Sequence, residues 1–155
     1  SKEVVQKTGG FKFDRLAEDI ELSIRMKQMG FRVGLIPDAY VYHKRRTNLA
    51  EFFKQVQGFG RGRINMGKIH SGEVKLTHWF PALFFLGLIA VPFIFLFSPL
   101  LGTVAAAFVG IYLFGIFIDG LRVTKSLSVA MLSVPAAVVQ LCGYGLGFLL
   151  VSLRD

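Results

Sequence analysis

Two adjacent carboxylates, Glu18 and Asp19, are the residues of this chain best suited to acid–base chemistry. A carboxylate within hydrogen-bond reach of a hydroxyl group can accept its proton as the oxygen attacks an electrophile. The alternative is structural, because acidic residues in the first turn of a helix are favoured by its macrodipole. The dipeptide alone favours the structural interpretation, so its surroundings have to decide.

Basic residues form the second group suited to chemistry, and they occur at 44–46, Arg61 and Arg63. Arginine makes planar, bidentate contacts to phosphate oxygens, so these residues suit a diphosphate leaving group. Basic side chains beside a membrane also bind anionic lipid and set topology. The lipid interpretation is favoured for Lys68 and Lys75, and both interpretations stay open for Arg61 and Arg63.

Short elements of regular structure are predicted to position the carboxylates. Residues 17–29 have the pattern of a helix with two apolar sides, and Gly30 suits its C-terminal end. Residues 31–36 and 40–42 have the composition of strands, with a turn at 37–38 between them.

A second helix is predicted to begin after Asn48, which forms a capping box with Glu51. The helix is expected to end near Gln57, because the glycines in residues 58–60 loosen it. It would lie in the headgroup plane of a membrane or pack its apolar face on a soluble domain, and the sequence leaves both open. The apolar positions that define this helix are Leu49, Phe52, Phe53 and Val56.

Charge and hydrophobicity divide the 155 residues into two halves. Residues 1–78 hold 15 of the 18 Lys and Arg and 8 of the 10 Asp and Glu, a net charge of +7. The rest contains three long apolar runs, each long enough to cross a hydrocarbon core about 30 Å thick. The apolar content excludes a disordered chain, and the single cysteine excludes a disulfide scaffold. An ordinary soluble domain is disfavoured because a soluble half of this size would not be so apolar.

The basic residues also predict an orientation. They precede the first apolar run and recur in the second connection at Arg122 and Lys125, whereas the first connection has none. The positive-inside rule places residues 1–78 and the second connection in the cytoplasm, and Asp155 outside. Small residues spaced by four, such as Gly143 and Gly147, predict close helix packing inside the bundle, with oligomerisation as the alternative.

The order of several motifs resembles a known family. Residues 8–25, from Thr-Gly-Gly-Phe to Glu-Asp and beyond, resemble the acceptor side of a family 2 glycosyltransferase with a GT-A fold. Residues 30–37 and 42–46 stand where that family has its next strand and its basic loop. Gln55, followed by Gly-Arg-Gly-Arg at 60–63, resembles the interfacial helix of membrane-bound members that make polysaccharides or glycolipids.

The resemblance implies that Asp19 is the catalytic base and that Glu18 supports it. In the family's Gln-x-x-Arg-Trp pattern, this chain has Gly-Phe at the Arg-Trp positions, which leaves Arg61 and Arg63 just downstream as candidate substitutes. Arg61 is nearer to the motif position and is expected to contribute more. The substrate-binding residues implied in all are Gly9, Gly10, Phe11, Gln55, Arg61 and Arg63, and no metal site is expected within the chain.

The fold predicted from the resemblance is the α+β acceptor-side portion of a GT-A domain followed by an α-helical three-span membrane bundle. The C-terminal part of the glycosyltransferase domain would occupy residues 1–47, and an interfacial helix with a basic linker residues 48–78. Transmembrane helices would follow at 79–97, 100–118 and 127–153.

The implied function is that of a membrane-bound inverting glycosyltransferase, which uses a nucleotide-sugar donor and a glycan or lipid-linked acceptor at the cytoplasmic face. A chain that begins at Ser1 and has no Asp-x-Asp is expected to be a fragment, inactive alone, whose Mg²⁺ or Mn²⁺ ligands lie mainly outside it. Membrane lipids are expected partners, a homo-oligomer is left open, and nucleic acid is not expected. The alternative from another class is a non-catalytic membrane anchor or assembly module.

Overall fold

The computed structural model describes residues 2–12, 17–43 and 46–154. Within these ranges the chain forms six α-helices and one short 3-10 helix, and no residue is in a strand. The α-helices are α1 (Lys2–Thr8), α2 (Glu18–Gln28), α3 (Leu49–Ile69), α4 (Phe80–Phe97), α5 (Pro99–Thr124) and α6 (Leu127–Ser152), and the 3-10 helix Leu76–Trp79 precedes α4.

The prediction of an α+β GT-A portion is therefore wrong for the described residues. The turn at 37–38 is present, where the Ala39 N–H donates to the Ile36 carbonyl over 3.1 Å, but the flanking segments are not strands. Leu35 and Tyr42 are 91% and 96% exposed. A strand needs a neighbour to complete its backbone hydrogen bonds, and the described residues offer these segments none.

Helix α2 confirms the prediction for the segment that carries the carboxylates. It begins at Glu18 and is followed by Gly30, whose φ of 83° lies in the left-handed region that glycine adopts readily. Acidic residues occupy its first turn and basic residues its last turn, which matches the helix macrodipole at both ends.

Helix α3 begins as predicted and continues further than predicted. The Asn48 side chain accepts a hydrogen bond from the Glu51 N–H over 2.8 Å, which caps the first turn. The helix then passes through the glycines at 58 and 60 without a break and ends at Ile69. The expected end near Gln57 is wrong because the backbone of α3 packs directly on α6, and this contact outweighs the weak helix propensity of glycine.

The contact between α3 and α6 is the most extensive one between helices of this chain. Gly143 lies against Phe53 and Val56, and Gly147 lies against the backbone of Gln57. On the other side, Gly60 lies against the backbone of α6 at residues 144 and 148. Gly143 and Gly147 are therefore closely packed, but their partner is the amphipathic helix α3 and not another of the three apolar helices, as was predicted.

Alanine substitutions at a packed and at an unpacked glycine should distinguish the effect of helix packing on stability from the effect of helix propensity. A methyl group on Gly147 would collide with the Gln57 carbonyl, so Gly147→Ala should destabilise the fold by about 1–3 kcal/mol. Gly110 is the matched control, since nothing lies within 4 Å of an added Cβ there and alanine improves helix propensity. Thermal melting in detergent should show a lower Tm for Gly147→Ala and no loss for Gly110→Ala; equal losses would contradict the packing.

Helices α4 and α5 form a tight hairpin. Ser98 caps α5 by accepting from the Leu101 N–H over 3.4 Å, and Gly102 packs on the ring of Phe95. Near the other end, the Tyr112 ring lies 6.0 Å from Phe80 and 5.6 Å from Phe84 between centroids. The segment Leu76–Phe97, α5 and α6 are each long and apolar enough to cross a membrane, which indicates a multi-pass membrane protein.

Candidate active site

The Thr-Gly-Gly motif forms the end of α1. Gly9 and Gly10 have φ values of 74° and 70°, a left-handed conformation that favours glycine. Their N–H groups donate to the carbonyls of Gln6 and Val5 over 3.3 and 3.1 Å, which satisfies the last turn of the helix. The motif thus has a structural role in ending α1, and Phe11 beyond it is 65% exposed.

A buried ion pair ties this motif to the helix of the carboxylates. Arg25 of α2 binds Glu21, with Nη2 to Oε2 at 2.6 Å and Nε to Oε1 at 2.9 Å. The same guanidinium donates to the carbonyl of Thr8 and, over 2.7 Å, to that of Gly10. The end of α1 is therefore fixed relative to the first turn of α2.

The end of α3 joins the same network. His70 Nε2 lies 3.3 Å from Glu21 Oε1, and Gln28 lies 3.4 Å from the other ring nitrogen. Glu21 is only 1% exposed. Its hydrogen bond to Arg25 lowers the pKa of Glu21 despite the opposing effect of burial, and the same bond raises the pKa of Arg25.

This network predicts a pH dependence of stability. A carboxyl group with a lowered folded pKa stabilises the fold above its ordinary pKa, near 4.5, and this contribution is lost as the pH falls through the folded value. Glu21→Gln should remove that acid dependence. At pH 7 it should also lower the free energy of unfolding by about 2 kcal/mol, because Arg25 stays buried without its counter-ion.

Glu3→Gln is the matched control for Glu21→Gln, since Glu3 pairs with Lys7 at 2.8 Å with the same spacing but on the surface. Exposed pairs of this kind contribute little, so this variant should melt like the wild type. Melting curves from pH 3 to 7 in detergent test both variants. An unchanged acid dependence in Glu21→Gln would contradict the assignment.

One cleft of about 650 Å³ brings the predicted acid–base pair and a predicted arginine together. Glu18 and Asp19 line it from the first turn of α2, Arg63 lines it from α3, and Tyr144 from α6. The volume is in the range of small-molecule sites. The remaining lining residues are Ala17, Ile20, Gly58, Phe59, Gly62 and Met66.

The two arginines of α3 differ in their surroundings. The Arg63 side chain lines the cleft together with Tyr144. Arg61 is exposed and its Nη2 donates to the Gln57 side chain over 3.2 Å on the surface of the same helix. Residues two apart on a helix do not share a face, so one arginine faces the cleft and the other does not.

The other predicted substrate-binding residues lie elsewhere. Gly9, Gly10 and Phe11 are not among the described residues that line the cleft. Gln55 lines a separate cleft of about 580 Å³, whose wall includes Arg46. The structure thus brings together Glu18, Asp19 and Arg63 of the eight predicted site residues. Lys44 and Arg45, also predicted to contact phosphate, lie outside the described residues.

Tyr144 is the cleft residue that the sequence did not reveal. It stands between Gly143 and Gly145 in the uncharged run 127–153, and a ring with a hydroxyl group flanked by two glycines was the available signal. Its ring stacks on Phe148 with centroids 6.3 Å apart, and Phe148 in turn meets Trp79 edge-on at 4.9 Å. This row of aromatic rings fixes the position of Tyr144 relative to the start of α4.

A metal-binding cluster is not present in the part of the chain that the structure describes, where no three His, Cys, Asp or Glu side chains come together. Glu18 and Asp19 share their cleft with a guanidinium, a cation that would repel a metal ion placed beside it. The described residues therefore do not fit a divalent cation.

Of three comparisons with known proteins, one found a match. No curated protein and no solved structure matches the chain. The family model described as Glycosyl transferase family group 2 matches residues 1–149, nearly the whole chain. The chain therefore belongs to the glycosyl transferase family group 2.

Proposed function

We propose that this chain is part of a membrane-bound inverting glycosyltransferase, which moves a sugar from a nucleotide-sugar donor to a polysaccharide or lipid-linked acceptor. Family membership supports transfer of a sugar. The observation that carries the proposal is the single cleft lined by the Asp19 carboxylate and the Arg63 guanidinium. These are the two groups that such a reaction needs, one for a proton and one for a leaving diphosphate.

Asp19 acts as the base in this proposal. Its Oδ1 accepts from the Ile20 N–H over 2.9 Å, which holds the exposed side chain in place and leaves Oδ2 for an acceptor hydroxyl. The acceptor oxygen attacks the anomeric carbon, the new glycosidic bond forms, and the bond to the diphosphate breaks. The hydroxyl proton passes to Asp19, and the electron pair of the broken bond leaves with the diphosphate.

Arg63 stabilises the diphosphate as its negative charge increases. A guanidinium offers several donors in one plane, which matches phosphate oxygens, and its charge is permanent at neutral pH. Tyr144 beside it supplies a hydroxyl group to the same wall. Glu18 supports Asp19 from the preceding position. A Mg²⁺ or Mn²⁺ ion would add further neutralisation of the diphosphate, and we assign its ligands to residues outside this chain.

The reaction takes place on the cytoplasmic side in this proposal, where nucleotide sugars are made. The placement of residues 1–78 there rests on the basic residues at 61–75 before α4 and at Arg122 and Lys125 after α5.

The test is sugar incorporation by membranes that carry the full-length protein. A panel of radiolabelled UDP- and GDP-sugars is added, and label is counted separately in lipid-extractable and polymeric products. Incorporation above that of membranes from the empty-vector strain, from at least one donor, is expected. Membranes with no incorporation from any donor, although the protein is inserted and folded, would favour the non-catalytic anchor instead.

A further inference from the structure

The cleft of Gln55 differs in its charge from the cleft of Asp19. Arg46 lines it, and no carboxylate does so among the described residues, whereas the cleft of Asp19 holds two carboxylates beside its arginine. The chain around Arg46 is also basic, since residues 43–46 are His-Lys-Arg-Arg and residues 39–50 contain no Asp or Glu. The cleft of Gln55 therefore presents positive charge alone to a negatively charged group.

Three polar side chains supply this cleft with the donors that a phosphate group needs. The Arg46 guanidinium can bind two phosphate oxygens at once. The Gln55 amide and the Thr47 hydroxyl line the same cleft and can donate to further oxygens. Within the described residues, none of the three side chains has an ion-pair or hydrogen-bond partner, so all three are available to a ligand.

The rest of the cleft wall is apolar and only partly covered by the protein. Leu49 and Phe52 line it from the first turn of α3, and Leu132 and Pro135 line it from α6. Leu49 is 48% exposed and Leu132 69% exposed. Helix α6 is long and apolar enough to cross a membrane, so hydrocarbon is at hand to cover these side chains. Such a cover removes apolar surface from water and is favourable.

A ligand that suits both parts of the wall has a phosphate at one end and hydrocarbon at the other. Inorganic phosphate would leave the apolar wall uncovered, and a neutral lipid would leave Arg46 without a counter-ion. A zwitterionic phospholipid carries its own cation, which competes with Arg46 for the phosphate. An anionic phospholipid has neither fault, and such lipids are found in the cytoplasmic leaflet, the side predicted for residues 1–78.

We propose that the cleft of Gln55 binds one anionic phospholipid of the surrounding bilayer. Its phosphate lies against Arg46 and Gln55, and the first part of its acyl chains covers Leu49 and Leu132. The lipid thereby joins the start of α3 to α6. The described lining residues of this cleft and of the cleft of Asp19 do not overlap, so the lipid is a structural partner and not a substrate. Its binding does not depend on the transfer chemistry.

Thermal melting of the full-length protein in neutral detergent tests the proposal. A ligand that binds only the folded state raises the Tm until its site is saturated. Added phosphatidylglycerol should give a saturable rise, and the same concentration of phosphatidylcholine or inorganic phosphate should give little or none. An equal rise with either of these would overturn the proposal. Displacement of phosphatidylglycerol by a nucleotide sugar would also overturn it, because the cleft would then belong to the substrate site.

A pair of charge variants locates the phosphate. Arg46→Gln should raise the concentration of phosphatidylglycerol that gives half of the Tm rise by about tenfold or more, since it removes a hydrogen-bonded charge. Lys54→Gln is the matched control, because it removes the same charge from an exposed position of α3 that does not line the cleft. It should bind the lipid like the wild type. Equal effects of the two substitutions would overturn the assignment to Arg46.

A second pair of variants tests the apolar wall and does not depend on Arg46. Leu132→Gln should weaken binding of phosphatidylglycerol several-fold, because a polar side chain then faces the acyl chains. Met131→Gln is the matched control, since Met131 is also exposed on α6 and does not line the cleft. The Tm of each variant without lipid shows whether it is folded. Binding by Leu132→Gln equal to that of Met131→Gln would overturn the proposal.

Discussion

Replacing Asp19 by Asn should lower sugar transfer by about 10²–10⁴-fold, the usual contribution of a general base. Asparagine keeps the size of the side chain and the oxygen that accepts from the Ile20 N–H, so the first turn of α2 should keep its structure. What it loses is the ability to take the proton of the acceptor hydroxyl. Initial rates of sugar incorporation into product, measured with saturating donor in membranes, test this expectation.

Asp38→Asn is the matched control, because Asp38 is an exposed carboxylate in the turn at 37–38 and lines none of the clefts described above. It should leave transfer unchanged. Membrane insertion and donor binding should be the same for both variants and the wild type. If Asp19→Asn retained activity within about threefold of the wild type, less than the weakest general-base effect, Asp19 would not be the base.

The parts of the site that could be predicted are those whose signals are local. The helix around Glu18 and Asp19 follows from its periodicity, and the cap at Asn48 follows from one residue pair. These features depend on neighbours within one or two turns, and the sequence contains those neighbours.

The parts that could not be predicted depend on contacts between distant segments. Residues 40–42 have the aromatic and β-branched composition of a strand, but composition does not supply the neighbouring strand that completes its hydrogen bonds. The glycines of α3 weaken a helix by about 1 kcal/mol each, and the packing of Gly60 against the backbone of α6 reverses the expectation. Tyr144 reaches the cleft for the same reason, through a contact between helices far apart in the chain.

Arg63 and Arg61 should differ sharply in their effect on transfer. Arg63→Ala removes the guanidinium that lines the cleft and should lower turnover by about 10²–10³-fold, as for other groups that stabilise developing negative charge. Arg61→Ala removes an exposed side chain bonded to Gln57 and should change turnover by no more than about threefold. This order is the reverse of the one expected from the family's motif position.

Neutral detergent separates phosphate binding from lipid binding, since anionic lipid is absent there. A basic residue that only meets anionic lipid is replaceable by any other cation, because the interaction is with a point charge. A residue that binds the diphosphate behaves differently. Arg63→Lys should restore turnover only in part, since lysine lacks the bidentate geometry that a diphosphate requires. If Arg63→Ala had the turnover of the wild type in detergent, this result would contradict a catalytic role for Arg63. If Arg63→Lys recovered wild-type turnover in full, a single positive charge at position 63 would be sufficient. The bidentate geometry of arginine would then have no role in catalysis.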